Sequence, residues 1–248
     1  MQVRVLFFGA LRDSAPSQCE LDLPAAATAA QLLDAVTARH PAIGAMRGSL
    51  AIAVNREYAS ISHVLCDGDE VALLPPVSGG SVSGPNAADA SAIQIRLQQE
   101  PIQREAVLMG LAAPSDGAVL VFEGIVRDNS RGRRTCFLEY EAYEPMARSE
   151  MEKLAGEALR RFAIRGVSIA HRTGRLEIGE ASVCIAVAAA HRGPAYEASR
   201  FLIDTLKRTV PIWKREHFED GAVWVEGEPF PLDVPAGEIP GSSSASLK

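Results

Sequence analysis

Residues 67–80 read DGDEVALLPPVSGG, a short apolar segment that follows an Asp-Gly pair and leads into two prolines and two glycines. The Asp-Gly pair is typical of a tight turn, and EVALL (70–74) has the composition of a strand. Because glycine has no Cβ, an arm that ends in Gly79 and Gly80 can enter a narrow pocket that other residues would block. This stretch therefore predicts a strand that continues into a thin arm without side chains.

The segments before this stretch predict a small sheet with a helix across it. QVRVLFF (2–8) and CELDL (19–23) have the pattern of two strands that pair across a polar loop, and LAIAVN (50–55) predicts a third strand. Between them, Thr28 is followed three residues later by a glutamine, which is the signature of a capping box at a helix start. Two strands, a helix and two further strands are the order of a β-grasp domain, which we assign to residues 1–80.

The composition then changes and separates a linker from a second domain. Residues 81–92 hold almost no large apolar side chain, so they cannot bury enough surface to offset the entropy cost of ordering, and we predict a flexible linker. Residues 93–232 predict a second domain, and residues 233–248 predict a flexible tail. The second domain shows no parallel βαβ alternation, so the fold class that we expect is α+β.

Prolines mark the helix boundaries of the second domain. A proline at the first helical position is favoured, so we predict helices over 101–111, 145–162 and 194–209. The residue before Pro211 is pushed away from helical geometry, which ends the last helix. The strand-like segments are IQIRLQ (93–98), GAVLVFEGIVR (117–127), CFLEYEAY (136–143), VSIAHR (167–172), ASVCIAVAAA (181–190) and residues 222–226.

Charge and cysteine usage exclude several classes of protein. The net charge of −6 argues against general nucleic-acid binding, which needs a basic face. No apolar run approaches the roughly 20 residues of a membrane span, and the N-terminus is unlike a signal peptide, so we expect a cytoplasmic protein without a membrane partner. No CxxC pair and no metal-ligand spacing of histidines occurs, which predicts buried, reduced thiols and no metal site at Cys19, Cys66, Cys136 and Cys184.

Two basic segments are candidates for binding a small anion. RDNSRGRR (127–134) is a compact positive patch that suits a phosphate, although a solvated loop fits the same pattern equally well. His191 and Arg192 lie just before a predicted helix, where backbone N–H groups and the helix dipole favour a phosphate. A hydrogen-bonded strand end is the plainer alternative for His191.

Two lysines form the third candidate site. Lys207 lies near the end of the last predicted helix, and the reversal at Pro211 lets Lys214 return toward the same face. Two ammonium groups that share a pocket lower each other's proton affinity, and such a lysine can serve as an acid, a base or a nucleophile. The alternative is a surface ion pair of Asp204 with Lys207 or Arg208.

These motifs together resemble the two subunits of molybdopterin synthase. FFGALRDSA (7–15) and the diglycine end resemble the small, ubiquitin-like sulfur-carrier subunit. FEGIVRDNSRG, LEYEAYEPMA, AHRGPAYEA and LKRTVPIWKREHFEDG resemble the large, catalytic subunit across nearly all of residues 93–226. The chain thus resembles a natural fusion, in which a β-grasp carrier domain is joined to an α/β hammerhead-type catalytic domain.

The resemblance implies an activity and a set of partners. In this family a ubiquitin-activating-type enzyme adenylates the terminal glycine of the carrier, which becomes a thiocarboxylate and donates sulfur. The implied reaction converts cyclic pyranopterin monophosphate into molybdopterin in molybdenum cofactor biosynthesis, with no metal or organic cofactor, and the large subunits pair as a homodimer. The implied catalytic residues are Lys207, Lys214 and Gly80, and both lysines also line the substrate site with Ile125, Val126, Arg127, His191, Arg192, Arg215 and Glu216.

One peptide bond of the fused chain is incompatible with adenylation of the carrier's terminal glycine. Gly80 is joined to Ser81 by an ordinary amide, which has no acid oxygen to adenylate, so we predict proteolysis between these two residues. An uncut fusion that is served by a separate carrier is the alternative. Two other functions stay open, namely a ubiquitin-like interaction module on a noncatalytic pterin-binding scaffold, and a sulfur transferase for another acceptor such as transfer RNA or a thiazole precursor.

Overall fold

The computed structural model of the chain describes residues 1–76, 92–130 and 132–225. These residues belong to two compact units, the first within residues 1–76 and the second within residues 92–225. The predicted boundary at residue 80, most of the predicted linker and the predicted tail lie outside the described residues, so they stay predictions.

The first unit is a mixed sheet with one main helix packed against it. Its strands are β1 (Gln2–Phe7), β2 (Gln18–Asp22), β3 (Ala51–Val54), β4 (Glu57–Ala59) and β5 (Glu70–Leu74). Their order is β2-β1-β5-β3-β4, and the central pair β1 and β5 runs parallel. The helices are α1 (Ala29–Arg39) and the short α2 (Pro41–Gly44). A parallel central pair between two hairpins confirms the predicted β-grasp arrangement.

The start of α1 follows from its capping box. The Gln31 backbone N–H donates to Thr28 Oγ1 at 3.4 Å, and the Thr28 N–H donates to Gln31 Oε1 at 2.9 Å. These bonds satisfy two of the N–H groups that a helix start leaves without partners. The buried stripe of α1 (Ala29, Leu32, Leu33 and Val36) then belongs to the apolar core of the first unit.

The second unit contains two sheets. The first has the order β6-β10-β12-β7, with β6 (Ile93–Gln98), β10 (Gly166–Arg172), β12 (Ala181–Ala189) and β7 (Ala118–Ile125). The second has the order β11-β9-β13-β14, with β11 (Gly174–Glu177), β9 (Arg133–Ala142), β13 (Ile212–Phe218) and β14 (Gly221–Trp224), and β8 (Asn129–Ser130) pairs with β9. The helices are α3 (Arg104–Leu108), α4 (Glu144–Arg161) and α5 (Arg192–Thr209).

The main core of the second unit lies between α4, α5 and the first of these sheets. Met151, Ile169, Ile185 and Leu202 are fully buried there. The small helix α3 covers a second cluster, which includes Val107, Ala186 and Ala188. Together with the first unit, this mixture of helices with largely antiparallel sheets confirms the predicted α+β class.

One predicted helix is wrong in extent. The helix expected over 101–111 is reduced to α3, because the Gln98 side chain donates to the carbonyls of Glu100 and Pro101 and holds this stretch out of helical geometry. Gly110, at a φ of +71°, then turns the chain away. In contrast, α5 begins at Arg192, two residues before the predicted start. Within the described ranges no helix is long and apolar enough to cross a membrane.

We predict that Met151→Ala lowers the free energy of unfolding of the second unit by about 2–5 kcal/mol, because a fully buried side chain leaves a cavity. Both tryptophans, Trp213 and Trp224, lie in this unit, so tryptophan fluorescence during urea unfolding of the whole chain measures it selectively. The matched control is Met109→Ala at a 71% exposed side chain, which should change stability by less than about 0.5 kcal/mol. Equal losses in both variants would contradict the assigned core.

Candidate functional site

The strand β13 separates the predicted site residues onto two faces. Successive side chains of a strand point to opposite sides, so Lys214 and Glu216 share one face and Arg215 lies on the other. Tyr140 of β9 is the direct cross-strand partner of Lys214 and joins its face. The Arg215 guanidinium lies over the Trp224 ring, 5.6 Å from its centroid. The structure therefore brings Lys214 and Glu216 together and does not bring Arg215 to them.

Lys214 is held by a buried carboxylate. Its Nζ lies 2.9 Å from Glu216 Oε1, and the side chains are 25% and 9% exposed. A charge–charge contact is stronger at such a partly desolvated position than at the surface. The resemblance implies that Glu216 binds substrate, which stays a prediction; in the structure one of its contacts is with the ammonium group of Lys214.

Near this ion pair lie polar residues that the sequence did not predict as part of the site. Burial raises the pKa of Tyr140, a hydrogen bond with Ser182 lowers it, and the charge of Glu216 raises it further. The Tyr140 ring meets His171 edge-on, with 5.3 Å between ring centroids. Burial lowers the pKa of His171 to about 4, and its Nδ1 donates to the Arg172 carbonyl at 2.8 Å. The motif LEYEAY contained Tyr140, but only the pairing of β9 with β13 sets it opposite Lys214.

Lys207 is exposed near the end of α5. The alternative, an ion pair of Asp204 with Lys207 or Arg208, does not form. The Asp204 carboxylate lies 3.5 Å from Arg200 Nε, and Arg208 Nε donates to the Asp204 main-chain carbonyl at 2.8 Å. The ammonium group of Lys207 thus forms no ion pair within the described part of the chain. That Lys207 and Lys214 share one pocket stays a prediction.

The arginine patch divides into paired and unpaired members. Arg133 forms an ion pair with Asp220 and stacks over the Phe218 ring, 3.8 Å from its centroid. Arg134 lies 3.4 Å from Glu219. Arg127 is exposed and forms no ion pair with any described residue, and Arg131 lies outside the described residues. Of the described arginines in this patch, Arg127 is the one that is available to an anion.

The remaining predicted site residues differ in accessibility. Ile125 is 56% exposed, whereas Val126 is 3% exposed and packs with Leu138 and Leu176. A core position leaves the Val126 side chain little surface to offer a ligand. Gly79 and Gly80 lie outside the described residues.

His191 and Arg192 lie at the start of α5. His191 is the N-cap residue, without a side-chain capping bond, and Arg192 is the first helical residue. Both side chains are exposed. The helix has 18 residues, long enough for its N-terminus to favour an anion.

The prediction of buried thiols is confirmed only in part. Cys184 is buried, and burial raises its pKa to about 11. The prediction is wrong for Cys66 and Cys136, which are exposed, and Cys19 is half-buried. All of these cysteines are free, and no group of side chains that could hold a metal ion occurs within the described ranges.

Known proteins resemble both units. A family model described as MoaE protein matches residues 97–209, and one described as the ThiS family matches residues 5–80. The molybdopterin synthase catalytic subunit of Halalkalibacterium halodurans is 41% identical over 141 residues, which cover 57% of this chain and 90% of that protein. The human catalytic subunit is 35% identical over 158 residues, which cover 61% of this chain and 84% of that protein.

One solved structure supports the same relationship. The X-ray structure of molybdopterin synthase from Staphylococcus aureus is 41% identical in sequence and has a TM-score of 0.51. The match covers 52% of this chain and 95% of that chain. The described second unit therefore has the fold of a known molybdopterin synthase chain.

We predict a pH dependence of stability that comes from His171. Its pKa is about 4 when folded and takes the ordinary value of 6.5 when unfolded. As pH falls from 6.5 to 4, the unfolded state gains a proton that the folded state does not, so the free energy of unfolding should fall by roughly 3 kcal/mol. His171→Gln should remove this component of the slope in urea unfolding that is followed by tryptophan fluorescence. An identical slope in both proteins would contradict the prediction.

Proposed function

Since the chain belongs to the family of molybdopterin synthase catalytic subunits and begins with a segment matched by the ThiS family, we propose that it transfers sulfur from its own carrier domain to cyclic pyranopterin monophosphate. As a molybdopterin synthase it is a sulfur-transferring enzyme of molybdenum cofactor biosynthesis. The product of the proposed transfer is the dithiolene of molybdopterin, and the sulfur comes from a thiocarboxylate at Gly80.

The contact between Lys214 and Glu216 supports the assignment of the reacting groups. Lys214 is a half-buried ammonium group that is fixed by Glu216 at 2.9 Å, so its charge is oriented before a substrate arrives. A preorganised cation stabilises negative charge that develops on a carbonyl oxygen. Lys214 therefore stabilises the negative charge that develops on the carbonyl oxygen of the carrier's acyl group when its carbon is attacked. Lys207, which lacks an ion pair within the described ranges, is the group that transfers a proton or transiently captures the acyl carbon.

The substrate phosphate is the proposed ligand of the basic residues. Arg127 is exposed without an ion pair in the described part of the chain, and His191 and Arg192 are exposed at the start of α5. Such groups complement an anionic phosphate in charge and in hydrogen bonding. The exposed side chain of Ile125 supplies an apolar wall for the pterin rings.

Two partners follow from the chemistry of the carrier. The carboxyl group of Gly80 must be activated before it can accept sulfur, so we assign an adenylating enzyme of the ubiquitin-activating type as a partner. We also propose a homodimer that forms through the second unit.

We predict that Lys207→Ala lowers turnover by about 10²- to 10⁴-fold, because it removes the group that acts at the acyl carbon. Protein purified from its host after cleavage at Gly80, the adenylating enzyme, ATP, a sulfide source and the pterin precursor are incubated together, and the dithiolene product is measured by mass spectrometry. The matched control is Lys153→Ala, which removes a helix lysine from α4 and should leave turnover unchanged. Full activity of the Lys207 variant would favour the noncatalytic scaffold instead.

We further predict cleavage between Gly80 and Ser81 in the host. Intact-mass analysis of an active preparation should reveal one fragment that ends at Gly80 and a second that begins at Ser81. The matched control blocks the site by Gly80→Val, which should preserve the uncut mass and abolish activity. Activity that returns when a separate thiocarboxylated carrier is added would assign the defect to the missing carboxyl group. An active preparation that contains only uncut chain would overturn this prediction.

A further inference from the structure

The buried guanidinium of Arg172 contacts three other segments of the second unit. Arg172 is the last residue of β10, and its side chain is 6% exposed. Its Nε donates to the Gln99 carbonyl at 3.1 Å, just after β6, and its Nη2 donates to the Arg175 carbonyl at 3.2 Å, within β11. Its Nη1 lies 2.9 Å from Glu180 Oε2, just before β12. One side chain therefore ties β6, β11 and the start of β12 to the end of β10.

The turn at residues 177–180 joins β11 of the second sheet to β12 of the first sheet. The Glu180 N–H donates to the Glu177 carbonyl at 3.2 Å, and the Glu180 carboxylate accepts from the Glu177 N–H at 2.7 Å. Gly179, at a φ of +88°, supplies the positive φ that the third position of such a turn can require. The Glu177 N–H lowers the pKa of the Glu180 carboxyl, burial opposes this, and the Arg172 guanidinium lowers it further. The turn is therefore held by an ionised carboxylate at neutral pH.

The same turn is hydrogen-bonded to the residue that precedes Arg127. The Val126 N–H donates to the Glu180 carbonyl at 2.9 Å, and the Gly179 N–H donates to the Val126 carbonyl at 2.9 Å. Arg127 itself is exposed and forms no ion pair with any described residue. The adjacent backbone, rather than an ion pair of its side chain, therefore sets where the Arg127 guanidinium can reach.

We propose that Arg172 and Glu180 are positioning residues that hold the turn at residues 177–180 against Val126 and so place Arg127 for the substrate phosphate. Neither side chain touches the substrate, and both act through the two backbone hydrogen bonds at Val126. The consequence for the phosphate rests on the proposed function. The effect on the backbone does not, and can be measured without any substrate.

Two test variants and a matched control separate this anchor from the exposed surface of the turn. Glu180→Ala removes the acceptor of the Glu177 N–H and the partner of Arg172. Arg172→Lys keeps a positive charge, but an ammonium group cannot reproduce the planar spread of the guanidinium, and this variant keeps the test valid if the Glu180 variant does not fold. The matched control is Glu177→Gln, which neutralises an exposed carboxylate 2.7 Å from Arg175 Nε and leaves the backbone bonds of the turn in place.

Amide hydrogen exchange of the whole chain, resolved by residue with NMR, measures the anchor directly. In both test variants the Val126 and Gly179 N–H groups should exchange about tenfold faster, because local opening of the turn becomes easier. The Gly117 N–H, which donates to the Ala189 carbonyl at 3.1 Å at the opposite end of β7 and β12, is the reference and should keep its rate. Unchanged rates at Val126 and Gly179, or an equal acceleration at Gly117 or in Glu177→Gln, would overturn the anchor.

Enzyme kinetics with the protein cleaved at Gly80 relate the anchor to the phosphate. Glu180→Ala should raise KM for the pterin precursor by about tenfold and leave kcat within about twofold, because a phosphate contact acts on substrate binding. The double variant with Arg127→Ala should not exceed the effect of Arg127→Ala alone, because both changes act through one contact. A lower kcat at an unchanged KM is the result of a merely structural role and contradicts the positioning role.

The two measurements separate this inference from the proposed function. If the unchanged chain makes no dithiolene product, the proposed function fails, while the exchange rates still decide whether Arg172 and Glu180 hold the backbone at Val126. If product forms but the effects of Glu180→Ala and Arg127→Ala add, the placement of Arg127 by this pair is wrong and the proposed function stands.

Discussion

The antiparallel pairing of β9 with β13 is the constraint on which the candidate site depends. It sets Tyr140 opposite Lys214 and Glu216 opposite Leu138, so an ammonium group, a carboxylate and a phenol share one half-buried face. Glu216 lies 2.9 Å from the Lys214 Nζ and compensates the charge of that group at a partly buried position. A shift of this register by one residue would turn Lys214 and Glu216 to the opposite side of the sheet.

The basic segment at residues 127–134 is partly neutralised by acidic side chains. Arg133 and Arg134, at the start of β9, are paired with the acidic turn between β13 and β14, and these exposed pairs contribute little to stability. They do, however, remove two positive charges from competition for an anion. An anion would therefore meet mainly the basic groups that the described part of the chain leaves without an ion pair, of which Arg127 is one.

Near the Lys214–Glu216 pair, the second unit contains polar side chains as well as apolar ones. Tyr140, His171 and Ser182 lie where a purely apolar core would be more stable, and each must find a hydrogen-bond partner. The His171 Nδ1 contact with the Arg172 carbonyl and the Ser182 contact with the Gly124 carbonyl provide two of these partners. Such a network fixes side-chain positions more strictly than apolar packing does, which suits a site whose reacting groups must be held in place.

The sequence by itself determined many of the local elements and the family to which the chain belongs. The capping box of α1, the strands β5 and β6 and the proline-limited ends of α4 and α5 follow from short-range preferences. PIWKRE supported the family resemblance, but the strand β13 that contains it was not predicted. Only the tertiary structure decided that Asp204 pairs with Arg200, that Arg215 faces away from Lys214 and that Tyr140 lies beside it. Strand register and rotamer choice, which no short-range pattern encodes, set these contacts, because packing between segments far apart in the chain selects both.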